Sequence, residues 1–364
     1  MFKSFLTLLK RFDSAIKTSI LILLVLIVID LLVLTYTNIS GQTSFLGNVF
    51  VEFQGLLFDL LIFGILIVLF DKMREKKERI NRYFEEIDDY REWDAPEAAF
   101  RIKGNIRRLN RLNTTNIDLH DCYLKHTNLS GLSLKNALLR NVNFEGSDLK
   151  GVDFQNADLT GANLKDCNME GAVFTNTLLT NTLITDSMLS NANFTGADLE
   201  NADLSGSNIS NAYFESCQLN KTNLEKCILC HTVFYRAQIT RSSNLSHCDL
   251  YRADLRESII NDASFINANL KRIKLDNSRI FDTAFTKADM TLASVNKATM
   301  KNIDLSNTIL VKASFSQSAL IASNLTGANM HDTDFSDADI SESYGYTDKD
   351  LTVCRTAPSR GMSS

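Results

Sequence analysis

Residues 196–210 read GADLENADLSGSNIS, which divides into GADLE, NADLS and GSNIS. One five-residue phrase is stated three times, with Leu199, Leu204 and Ile209 at its centre. Stepping backward by five from Leu199 reaches Leu119, and stepping forward from Ile209 reaches Ile239. Every one of these 25 centres is Leu, Ile, Met or Phe. The register slips by one residue within Thr240, Arg241 and Ser242. It resumes at Leu245 and runs to Ile340 for 20 more centres, among which Val295 is the only Val. A fixed short period of this kind marks a repeat architecture before any other reading is tried.

The position two before each centre is also restricted. It holds Ala157, Ala162, Cys167, Ala172, Thr177 and Thr182, then Ser187, Ala192, Ala197, Ala202 and Ser207. Larger residues stand there at Ile117, Leu132, Val142, Val152, Ile273 and Ile303. Small and large residues two apart share one face of extended backbone. The position two after the centre is Gly, Asn or Asp from Asp121 to Asn211, His126 excepted. Those residues tolerate the left-handed conformation of a turn. Each five is therefore one short extended side followed by one corner.

Phe154, Phe174, Phe194, Phe214 and Phe234 are twenty apart, as are Phe265 and Phe285, and Phe315 and Phe335. Recurrence at every fourth repeat gives a coil with four sides and Phe stacked on Phe. Forty-five sides make about eleven coils, a rod of about 50 Å at strand spacing. With its A(D/N)LxX pattern, the stretch from about 115 to 343 resembles the pentapeptide-repeat family. The resemblance implies a mainly β fold, a right-handed quadrilateral β-helix, with the handedness supplied by the family alone.

The first hundred residues differ. The runs 19–34 and 55–70 are apolar, and with their flanks each approaches the ~20 residues of a membrane span. Lys3, Lys10, Arg11 and Lys17 precede the first run, and Lys72, Arg74, Lys76, Lys77, Arg79 and Arg82 follow the second. The loop between them has no Lys or Arg. The positive-inside rule then predicts a multi-pass protein of the inner (cytoplasmic) membrane with cytoplasmic N- and C-termini. The expected organisation is a cytoplasmic segment (1–17), transmembrane helix 1 (18–36), an extracytoplasmic loop (37–51) and transmembrane helix 2 (52–71). A helical neck and cap (72–113), the repeat β-helix (114–344) and a C-terminal tail (345–364), disordered after about Asp350, follow. The neck carries a heptad-like stripe of Met73, Ile80 and Ile87. Asp94, Ala95, Pro96 and Glu97 have capping-box spacing, and Phe100, Ile102, Ile106 and Leu109 are expected to cover the first coil. Five of the seven Cys (Cys122, Cys167, Cys217, Cys227 and Cys248) occupy the small-residue position. They read as buried thiols in a reducing compartment rather than disulfides.

Candidate chemistry is sparse. His120, His126, His231, His247 and His331 all lie one or two places after a centre, hence outward, in no metal or triad spacing. Cys227 and Cys230 form a CxxC, with the first pointing inward and the second outward. There is no phosphate loop, GxGxxG or HExxH. No enzyme activity, cofactor or metal is expected. Asp148, Asp153, Asp158, Asp198 and Asp203, one before a centre, read as solvated groups satisfying corner amides.

The exterior says more. Val173, Leu178, Leu183 and Met188 precede four successive centres, so they form an apolar belt around one coil. Tyr213 and Val233 fall in the column of Val173. Such a belt is a candidate protein-contact surface. Asp30 and Asp59 inside the apolar runs are candidate intramembrane polar residues. From Glu145 to Glu215 there are 11 acids against two Lys, and from Lys221 to Lys312 there are 14 bases against 9 acids, in a chain of net charge −5.

These features favour a non-enzymatic, membrane-anchored scaffold presenting a rod to an unidentified protein partner. The lipid bilayer is a second partner and homo-oligomerisation is compatible. Nucleic-acid binding is disfavoured at this charge. One alternative is a DNA-mimicking regulator of a type II topoisomerase, as some family members are. Another is an oligomeric membrane channel or transporter subunit.

Overall fold

The computed structural model describes residues 45–356, with Ile22, Val25, Ile27, Val28, Ile29, Leu32 and Thr35 of an earlier helix. The chain divides into two compact units, 1–82 and 83–364. In the first, α1 (Phe45–Asp89) contains the second apolar run and extends into the start of the other unit. Among the described residues no helix is long and apolar enough to cross a membrane. That overturns the expected multi-pass placement in an inner membrane with cytoplasmic termini. The run at 55–70 carries Asp59 and is followed at once by Asp71 and Lys72. Its sixteen residues rise about 24 Å, against about 30 Å of hydrocarbon. Asp59 is exposed on α1. Asp30 and most of 18–36 lie outside the described residues.

The second unit is a parallel β-solenoid preceded by helix. Its pairing repeats every twenty residues. Asp118 bridges Leu138, Leu138 bridges Asp158, and the column continues through Leu178, Asp198 and Gln218. Three more columns begin at Tyr123, Asn128 and Ser133. The first column then enters a six-stranded parallel sheet: β1 (Gln218–Asn220), β2 (Gln238–Asn244), β3 (Ile259–Ser264), β4 (Arg279–Phe281), β5 (Thr299–Lys301) and β6 (Ala319–Ile321). Strand order equals sequence order, because each strand is the one below it one coil later.

All 45 centres are buried, Met330 being the most exposed at 3%. Their side chains pack inside the coil. The corners after them are left-handed, for example Asp121 at φ 56°, Asn156 at 57° and Asn201 at 58°. Centre amides donate up the stack, as Leu199 N–H does to the Gln218 carbonyl at 2.9 Å. Buried small hydroxyls and thiols add a vertical bond inside. Ser207 Oγ donates to the Ile184 carbonyl at 2.7 Å, Thr177 Oγ1 to Phe154 at 2.8 Å, and Cys227 Sγ to Leu204 at 3.0 Å. Ser, Thr and Cys thus share the small position with Ala because a carbonyl one coil away, or three residues back as for Thr182 on Leu179, accepts their hydrogen.

The extra residue of the slip is a β-bulge in β2, where pairing shifts between Thr240 and Ser243. Arg241 and Ser242 are consecutively left-handed, at φ 58° and 66°. The Phe stack therefore moves. Phe154 to Phe234 occupy one column with ring centroids 4.7–5.0 Å apart. Phe265 and Phe285 stack at 5.0 Å in the column of Phe144, on the opposite wall. Phe315 and Phe335 return to the column of Phe154.

Both ends of the rod are closed. Helix α2 (Pro96–Arg111) buries Ala98, Ala99, Ile102, Asn105, Ile106 and Leu109, an i, i+3, i+4 stripe. Phe100, expected on that stripe, points outward and is 73% exposed. The capping box does not form: Ala95 is the N-cap without a side-chain bond, and Asp94 instead binds Lys125 Nζ at 2.7 Å. Asn110 works like a piece of strand. Its Nδ2 donates to the Ser133 carbonyl and its Oδ1 accepts the Ser133 N–H, both at 2.8 Å. At the far end, α3 (Asp348–Thr352) turns the chain back on a Thr347–Asp350 capping box. Thr356 then bridges Asp334, and Arg355 N–H donates to the Thr333 carbonyl at 2.8 Å. The tail expected to be disordered is a clasp as far as Thr356.

Candidate functional site

The geometry directs attention to the exterior. In the belt, Val173, Leu178, Leu183 and Met188 stand in four different columns of one coil. Leu178, Leu183 and Met188 are 46%, 38% and 53% exposed, while Val173 is half-buried. Tyr213, 50% exposed, lies two bridges above Val173 through Asn193, and Val233 lies one above Tyr213. Apolar residues of the same register recur at Leu138 and Ile228, which the sequence reading passed over. Leu138 is in the column of Leu178, and Ile228 is in that of Met188. The available signal was an apolar residue immediately before a centre, applied to every coil rather than to a consecutive run.

The neighbours of these groups are mostly amide and carboxylate ladders. Asn168 Nδ2 donates to Asp148 Oδ1, Asn223 to Asp203 and Asn269 to Asp249, at 3.2, 2.9 and 2.7 Å. The same Asp and Asn side chains accept a backbone N–H two residues on, as Asp203 does from Ser205 at 3.0 Å. Asp158 adds Arg140 at 2.5 Å and the Thr160 hydroxyl at 2.6 Å. Burial alone would raise the pKa of Asp158, but these donors prevail and hold its carboxyl below the usual range. The acids are thus occupied in holding the coil.

Histidine shows no catalytic grouping. His120 Nδ1 lies 2.6 Å from Asp118 and 2.9 Å from Arg91. Arg91 can only donate, so Nδ1 serves one partner at a time, and the shorter contact assigns its hydrogen to Asp118. Arg91 also donates to the His120 carbonyl and pairs with Asp88. The cluster ties the chain before α2 to the first coil. His126 and Asp121 occupy adjacent corners with no hydrogen bond between them. Asp121 accepts from Asn141 at 3.0 Å. The His126 ring covers Gly146, where a Cβ would meet Nδ1 at 2.3 Å, so only glycine fits there.

Five of the seven thiols are buried. Cys227 is buried and Cys230 half-exposed, so the CxxC faces two directions. Burial pushes the Cys122, Cys167 and Cys217 thiols up to about 12, and raises Cys248 too. Among the described residues no cluster of His, Cys, Asp and Glu could hold a metal ion. An open groove of about 350 Å³ runs beside Pro96, Phe100, Lys103, Tyr123 and His126, with no paired acids or nucleophile in it.

A "pentapeptide repeat region" profile matches residues 108–174 and 147–224, and a "pentapeptide repeats (8 copies)" profile matches 207–243, 241–277 and 298–337. Together they cover more than half of the sequence. The chain belongs to the pentapeptide-repeat family. No curated protein sequence matches it significantly. Among solved structures it is similar to HetL, a pentapeptide repeat protein involved in heterocyst differentiation regulation from the cyanobacterium Nostoc sp. strain PCC 7120. The identity is 23% over 65% of this chain and 96% of that one, with a TM-score of 0.24. A pentapeptide repeat protein from the Arabidopsis thaliana thylakoid lumen is 35% identical over 28% of this chain and 68% of its own, with a TM-score of 0.18. QnrB1, a plasmid-mediated fluoroquinolone resistance protein, is 18% identical over 56% of this chain and 88% of its own, with a TM-score of 0.29. In this pentapeptide-repeat chain the core positions are all filled, so any selectivity resides in the outward positions.

Proposed function

We propose that the protein is a non-enzymatic scaffold that works through protein–protein contact, with its coil right-handed as the family resemblance implies. The observation that carries this reading is the belt. Leu178, Leu183 and Met188 are exposed in three successive columns of a rod whose interior is filled. Exposed apolar groups arranged around one coil lose free energy in water and regain it against a complementary surface. Their Cβ positions are set by a rigid ladder, so binding there requires little ordering of the rod itself.

The acids of 145–215 that precede a centre are spread over all four columns, with Asp158 and Asp198 sharing one. Replacing Leu178 and Leu183 by Asn tests the reading by sedimentation and crosslinking of the full chain. The expected result is loss of self-association or of a crosslinked partner with the unfolding transition unchanged. Unaltered assembly with an intact rod would overturn it.

A further inference from the structure

One corner of the rod changes character along its length. Going up the column, the left-handed residues are Gly131, Gly151, Gly171, Asn191 and Asn211, then His231, Arg252, Arg272, Leu292 and Lys312. Arg252 and Arg272 hold φ 58°. A side chain other than Asn or Gly pays about 1 kcal/mol in that conformation. Both arginines are exposed, so core packing does not call for them. Neither has an ion pair among the described residues.

The face beside this corner is aromatic. Tyr213 and Val233 are stacked one coil apart, with Lys274 two coils above Val233. Arg252 lies over the Tyr251 ring at 5.2 Å, and Arg236 over Tyr235 at 4.9 Å. Tyr235 and Arg236 are held by Glu257, at 2.7 and 2.9 Å. The face therefore offers tyrosines beside two unpaired arginines whose backbone positions are one strand spacing, about 4.8 Å, apart. Tyrosine and arginine together are the residues most enriched where protein partners bind tightly.

We propose that Arg252, Arg272 and Lys274, with Tyr213, Val233 and Tyr251, form a docking surface for an acidic protein segment. This rests on the protein-contact reading above and names the partner's chemistry. Charge complementarity selects the occupant: the unpaired groups are cations, so they are neutralised by carboxylates. A nucleic acid fits less well. Asp254 lies between Val233 and Lys274 in their own column, and a backbone of uniform negative charge cannot avoid it. A protein segment can place discrete carboxylates against the arginines and apolar groups against Tyr213.

The experiment uses the full chain and a short fluorescein-labelled peptide of alternating Glu and Asp with one Leu, read by anisotropy. An oligonucleotide of equal charge is run in parallel. Arg252→Asn with Arg272→Asn removes the cations while placing a residue suited to positive φ, so the rod is not weakened. The expected result is at least about tenfold weaker peptide binding in this variant, with binding to the parent chain declining as salt rises. Unchanged peptide affinity overturns the proposal, as does tighter binding of the oligonucleotide than of the peptide. The Leu178→Asn, Leu183→Asn variant is expected to keep peptide affinity. If it loses assembly while the arginine variant still binds peptide, the contact reading stands and this proposal falls.

Discussion

The coils up to Ser216 and those from Lys221 onward share one backbone and differ in what their corners display, a change that begins before the bulge. Up to Ser216 the left-handed positions are Gly, Asn or Asp with only His126 and Ser216 as exceptions. From Lys221 onward they include Lys221, Lys226, Arg236, Arg241, Arg252 and Arg272. The first stretch follows conformational preference. The second sets it aside to present charge. The comparison teaches that hydrogen-bond ladders and buried centres hold the coil firmly enough to tolerate unfavourable corners. The corner alphabet is then free for recognition.

The interior divides as well, at the bulge itself. Phe154 to Phe234 form one unbroken stack, whereas Phe265 and Phe285 form an isolated pair on the opposite wall. Phe194→Ala, which leaves a gap between two rings each 4.7 Å away, should cost about 3–5 kcal/mol. Phe285→Ala loses a single stacked partner and should cost less. Urea denaturation of both variants checks this, and equal losses would break the contrast.

The corner rule gives a pair of opposite sign. Asn191 and Arg252 occupy the same corner column three coils apart. Asn191→Arg should destabilise by about 1 kcal/mol, and Arg252→Asn should stabilise by up to about that amount. Thermal unfolding of the two variants reads the signs directly. Two shifts in the same direction would show that corner identity is not governed by φ.

The bulge itself offers a sharper cut. Deleting Ser242 restores the five-residue register across 239–245 and removes one of two adjacent left-handed residues. The rod should survive with stability changed by less than about 1 kcal/mol, measured by circular dichroism and heating. A collapse of the transition would mean that the bulge is required for the two stretches to coexist.

The smallest effect is acid sensitivity, which both stretches share. Asp158 and Asp254 have carboxyls held below their ordinary range. In each case burial opposes the shift, and hydrogen bonds and arginine charge (Arg140, Arg256) outweigh it. A depressed folded pKa means the stabilisation is complete above the unfolded value near 4 and is lost as pH falls through the folded value. Asp158→Asn and Asp254→Asn should each flatten the fall of Tm below about pH 4. A variant that keeps the parental slope would remove its carboxylate from the account.

Most of the solenoid was legible in the sequence, because each residue meets its own counterpart twenty places on. Leu199 stacks on Leu219 and Phe194 on Phe214, so local spacing is also tertiary contact. The inward aim of Cys227 and the outward aim of Leu178 follow from counting. The ends were less legible because their contacts do not repeat. Asp94 has capping-box spacing, yet Lys125 takes its carboxylate. Phe100 sits among apolar neighbours in sequence, yet one helical step turns it outward. The apolar run at 55–70 reads as a span, although its helix is not long and apolar enough to cross a membrane.

The sequence by itself determined the period, the buried set and the left-handed corners. All three are consequences of side-chain size and backbone preference within five residues. The tertiary structure decided which distant coils bring Tyr213, Tyr251, Arg252 and Arg272 onto one face, where the Phe stack changes walls, and how Asn110 and Thr356 close the ends. Those outcomes depend on how many coils separate two residues and on a single inserted residue at the bulge, quantities that act only once the chain has wound.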